Sequence, residues 1–72
     1  MNDDLKVGDV IEVHEQYLQG PIDGPCVYFD QWCAATILAV YKIRIDALLL
    51  NGERKGMRVT LEPHRRNQTW RG

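Results

Sequence analysis

Between Trp32 and Leu50 the chain carries its densest run of aliphatic side chains. Over 32–41, Ala35, Ile37 and Ala39 fall on one side of an extended backbone, and Ala34, Thr36, Leu38 and Val40 on the other. A period of two predicts a strand. The same rule predicts a strand over 10–15, entered through the turn Lys6-Val7-Gly8-Asp9, with Ile11 and Val13 on one face and Val10, Glu12 and His14 on the other. Further strands are expected over 44–50, 56–62 and 68–71. Pro63 ends the fourth because it removes a ladder donor, and Pro63-His64-Arg65-Arg66-Asn67 reads as one turn of tight helix.

The register of the third and fourth strands follows from their side chains. Asn51-Gly52 favours a two-residue hairpin turn, but that turn would set Leu49 opposite Arg54 and Ile45 opposite Arg58. Pairing Leu49 with Met57 aligns Ala47 with Val59 and Ile45 with Leu61, and sets Arg44 opposite Glu62 and Asp46 opposite Thr60. One consistent apolar face outweighs the local turn preference, so the longer loop is expected. Five short strands with no room for a real helix predict an all-β fold, a small, strongly bent antiparallel barrel whose closure removes open edges.

Residues 16–31 break the pattern. Two Gly-Pro pairs, Gly20-Pro21 and Gly24-Pro25, exclude helix, and no period is sustained over Gln16 to Asp30. A long first loop is expected there, and loops of that length are often functional. On the outer side of the barrel, Leu38, Val40, Leu48 and Leu50 would form an aliphatic patch suited to a second subunit, so a homo-oligomer is expected.

Seventy-two residues make one domain (1–72), near the lower size limit for a self-sufficient core, with residues 1–5 expected to be flexible. No apolar run suits a membrane helix, and the acidic opening Met1-Asn2-Asp3-Asp4 is no secretory signal. A cytoplasmic protein without membrane partners is expected. The net charge is −1, unevenly spread. Residues 1–30 hold seven acids against Lys6, a balance of −6, and residues 31–72 hold eight bases against three acids, +5. The split suits either two binding faces or opposite charges meeting within the fold.

Val7-Gly8-Asp9-x-Ile11-Glu12-Val13, Trp32-x-x-Ala35-x-Ile37, Leu61-x-Pro63 and a closing Trp70 together resemble the Tudor and agenet group of small barrels, related in shape to Src-homology-3 domains. The resemblance implies mainly the fold. It also implies a cage for methylated lysine or arginine, for which Tyr17, Tyr28, Phe29, Trp32 and Tyr41, with Asp30, are the candidates here, through cation–π attraction. The length, the outward patch and the aromatics of the second strand also resemble the type II dihydrofolate reductases, oligomeric enzymes built around a pore. Their Val-Gln-Ile-Tyr motif is absent, Arg58-Val59-Thr60-Leu61 being the nearest stretch. The chain is similar as well to small orphan proteins of bacterial integron cassettes.

Little else points to chemistry. The chain has no serine, two cysteines and two histidines, and Cys26, Cys33, His14 and His64 match no zinc spacing. Cys33, within a strand, reads as a small buried apolar residue. No cofactor, metal site or catalytic residue is expected. The leading expectation is a non-enzymatic module that binds a protein or peptide through the aromatic and acidic segment 16–31. The alternative is a nucleic-acid-binding barrel using Arg65, Arg66 and Arg71, with Trp70 stacked on a base.

Overall fold

The computed structural model describes residues 5–72. Five antiparallel strands form a strongly curled half-barrel: β1 (Val10–Gln19), β2 (Val27–Val40), β3 (Ile45–Leu49), β4 (Arg58–Leu61) and β5 (Trp70–Arg71). They lie in the order β4-β3-β2-β1-β5, with a 3-10 turn at Pro63–Arg65 between β4 and β5. The all-β architecture and the helical turn before the last strand are those expected from the sequence.

The core is the inner face of the curl. Ile11 and Val13 of β1, Cys33, Ala35 and Ile37 of β2, Ile45, Ala47 and Leu49 of β3, Leu61 and Trp70 are all buried. Large and small residues alternate across the sheet, Ala35 opposite Leu49 and Ile37 opposite Ala47. This lets a tightly curled sheet pack its own inner face, and the curl stops at a half-barrel with β4 and β5 as its two edges. The Gly-Asp turn works as a clasp: Gly8, at φ 97°, donates to Ile37 O at 2.8 Å, and Ile37 N donates to Asp9 O at 2.8 Å.

The longer β3–β4 loop is confirmed. Leu49 N donates to Met57 O at 3.0 Å and Gly56 N to Leu49 O at 2.9 Å, while Ala47 faces Val59 and Ile45 faces Leu61. Glycine is required at Gly52, where a Cβ would stand 2.7 Å from Cys33 Sγ. Arg44 departs from expectation: its Nε lies 3.5 Å from Asp46, whereas Glu62 turns to His64 and Arg65.

Two expectations are corrected. Residues 16–31 are not a long loop, because β1 runs on to Gln19 and β2 begins at Val27, pairing Gln16 with Asp30 through Gln19 with Val27. They form a two-stranded arm closed by residues 20–26. The molecule is accordingly elongated, 45 × 21 × 16 Å. Alternation is invisible in the arm's sequence because most of both its faces is wet. Second, a bulge between Ile37 and Ala39 reverses the facing of the end of β2, placing Ala39 opposite Asp46 and Val40 opposite buried Ile45. Val40 therefore leaves the outer patch and Ala39 leaves the core. Leu5 packs against the core; the flexibility expected for residues 1–4 lies outside the described residues.

Candidate functional site

Strand alternation divides the arm's side chains between two faces. On the inner side Tyr17 stacks on Phe29, its cross-strand neighbour, with centroids 4.9 Å apart and an 18° interplanar angle. Two residues nearer the barrel, Glu15 is buried at 7% exposure and accepts from Arg54 Nη1 at 3.2 Å. The Arg54 guanidinium also lies 5.7 Å from the Tyr17 ring centre. The hydroxyl of Tyr17 is buried without a hydrogen-bond partner among the described residues. Desolvation raises its pKa, as do Glu53 and Glu15, against the opposing pull of Arg54. Burial, then Glu15, raises the Cys33 thiol as well, which keeps it protonated and a poor nucleophile at neutral pH.

On the outer side, Trp32 stacks on His14 at 4.8 Å, and the Arg71 guanidinium stands 3.9 Å from the same ring. Both neighbours are themselves held, Arg71 Nε by Glu12 at 2.7 Å and His14 Nε2 by Asp30. Further out, Leu18 and Tyr28 oppose each other at 68% and 57% exposure, and Ile22 and Val27 are exposed at the tip. Tyr41 lies at the other end of β2, beneath Arg44 at 4.3 Å. The six cage candidates are thus not gathered in one place. Tyr17 and Phe29 share one face, Tyr28, Asp30 and Trp32 the other, and Tyr41 is remote.

The C-terminal residues are placed differently from expectation too. Trp70 is 2% exposed, its Nε1 donating to Glu62 O at 3.0 Å, so it cannot stack on a base. Arg71 is engaged by Glu12 and Trp32, Arg65 lies 4.0 Å from Glu62, and Arg66 lies 5.3 Å from the Trp70 ring. Acidic β1 and the basic second half do meet within the fold, through Glu12–Arg71 and Glu15–Arg54. Of the outer aliphatic patch, Leu38 and Leu48 are half-buried and Leu50 is exposed.

Sequence reasoning missed one concavity. A groove of about 270 Å³ opens at the end of the barrel away from the arm, lined by Leu5, Val40, Tyr41, Lys42, Ile45, Pro63, Arg66 and Trp70. The Val40 facing depends on the bulge, and no sequence signal marks it. Among the described residues no cluster of three or more His, Cys, Asp or Glu could hold a metal. Cys26 is exposed and Cys33 buried, both as free thiols. No helix among the described residues is long and apolar enough to cross a membrane. No family model, curated protein or solved structure matches the chain.

Proposed function

We propose that this protein is a small β-barrel binding module that recognises a protein or peptide segment through its arm, residues 16–31. One observation carries the reading: past Glu15 on β1, and before Ala34 on β2, the arm's outer edges make no backbone hydrogen bonds among the described residues. Such edges accept an added strand, whose main chain supplies affinity while alternate side chains supply specificity. Exposed Leu18, Val27 and Tyr28 offer apolar contacts beside those edges. The arm itself, residues 16–31, carries Asp23 and Asp30 and no lysine or arginine, so the segment recognised is extended and apolar, with basic residues to complement those two acids. The Tudor and agenet likeness is consistent with the half-barrel. A methyl-ammonium cage, however, would require the divided aromatics to regroup. The nucleic-acid reading is weaker, because the arm is acidic and Trp70 is inaccessible.

Selection of displayed random peptides on the immobilised protein tests the proposal. Recovered peptides are expected to alternate apolar and basic residues, to lose binding to a Leu18→Asp/Tyr28→Asp variant, and to slow amide exchange along residues 27–31. Peptides that bind that variant equally well would refute it.

A further inference from the structure

We propose that the groove at the end of the barrel remote from the arm binds an apolar carboxylate, that is, a hydrophobic group ending in a single negative charge. Its floor and walls are hydrocarbon and aromatic: Leu5, Val40, Ile45, Pro63 and the rings of Tyr41 and Trp70. Lys42 and Arg66 line the same groove. Arg44, over Tyr41, adds a third cation beside it.

Each part is held by an identifiable device. The bulge in β2 turns Val40 towards Ile45, which makes that wall apolar. The indole Nε1 of Trp70 is tied to Glu62 O, so the ring offers the groove hydrocarbon and not an unsatisfied donor. Asn67, at φ 74°, donates from its backbone to Trp70 O and fixes the turn from which Arg66 reaches over the indole. Acids are present nearby but engaged: Asp46 faces Arg44, and Glu62 faces His64 and Arg65. Lys42, Arg44, Arg65 and Arg66 against Asp46 and Glu62 leave a local excess of two positive charges, complementary to an anion.

Size narrows the occupant. Pockets that take drug-sized ligands run to roughly 300–1,000 Å³, so a groove of about 270 Å³ suits one large side chain or a short acid. The apolar part displaces water from the exposed lining residues Val40 and Tyr41, above the buried Ile45 and Trp70, while the carboxylate stays at the mouth, paired with guanidinium and ammonium groups. A free hydrophobic acid and the last residue of a peptide share this chemistry. The groove lies at the opposite end of β2 from the arm, so changes in one leave the other unaffected.

The test uses full-length Trp32→Phe protein, in which Trp70 is the sole tryptophan and reports from the groove floor. It is titrated with 4-phenylbutyrate, and with an acetylated tetrapeptide ending in Leu-Phe as the free acid and as the amide. A saturable shift of Trp70 emission is expected with at least one acid, weakened at least tenfold in Lys42→Gln/Arg66→Gln and by amidation. Binding of the small acid alone or of the peptide acid alone identifies the source. If the double variant unfolds, Lys42→Gln alone and the Ile45 methyl resonances provide the readout. Three results overturn the proposal: no acid bound at millimolar concentration, binding indifferent to Lys42 and Arg66, or binding only after removal of residues 1–4, which would make the chain its own occupant.

Discussion

Val40 lies directly across from Ile45, whereas Ala39, one position earlier, faces Asp46. This inversion separates two roles that simple alternation would assign to a single aliphatic surface. Leu38, Leu48 and Leu50 stay outside, and Val40 joins the groove. If the outer leucines form a subunit contact, Leu48→Glu yields a monomer and Val40→Asp does not. Solution mass measured by light scattering at high concentration checks this; a monomeric parent protein removes the contact altogether.

Ile37 marks the centre of the core, with 1% exposure and Ala47 as its cross-strand partner. Truncation to alanine leaves a cavity that a tightly curled sheet cannot collapse. The expected loss is about 2–5 kcal/mol, a large part of the stability of a domain this small. Urea unfolding measures it, and a loss below about 1 kcal/mol would mean the core sits elsewhere.

Tyr17 gains nothing from its hydroxyl, which is buried and unpaired. Tyr17→Phe is therefore expected to keep the stack on Phe29 and to leave the unfolding midpoint unchanged or raised, since it removes an unsatisfied polar atom. A clear drop in midpoint would indicate a hydrogen bond to the hydroxyl.

Arg54 is the sole ion-pair partner of buried Glu15 among the described residues. Arg54→Ala strands that carboxylate, at a cost on the order of 1–3 kcal/mol. A Glu15→Gln/Arg54→Ala double variant should recover much of the loss, because a neutral amide needs less compensation. Arg58, exposed on β4, serves as the control, with an expected change within about 0.5 kcal/mol.

Alkaline pH supplies a separate check. Tyr17 and Cys33 both have pKa values raised in the folded state, mainly by desolvation. The folded chain therefore holds these protons more tightly than the unfolded chain. Stability from this source is complete below the ordinary thiol and phenol pKa values and is lost as pH rises through the raised ones. Unfolding midpoints should begin to fall as pH rises past the free Cys and Tyr values, about 8.5 and 10. Cys33→Ala should lessen the early part of the fall and Tyr17→Phe the later part.

The strands around Ile11, Ile37 and Ala47, the register that sets Ile45 against Leu61, and the tight turn after Pro63 were all legible in the sequence. Each depends on a period-two pattern or a missing donor, which neighbouring residues express without help from the rest of the fold. The arm was not legible, because 16–19 and 27–31 present largely solvated faces and carry no alternating apolar signal. Nor was the grouping of the site: pairing across the arm decides that Tyr17 meets Phe29 while Trp32 meets His14 and Arg71. The groove depends on one inserted bulge residue, which reverses every later facing in β2, and on Leu5, Pro63 and Trp70 converging from distant parts of the chain. Local pattern determined which residues extend and which side they bury; only the curled sheet decided which side chains share a surface.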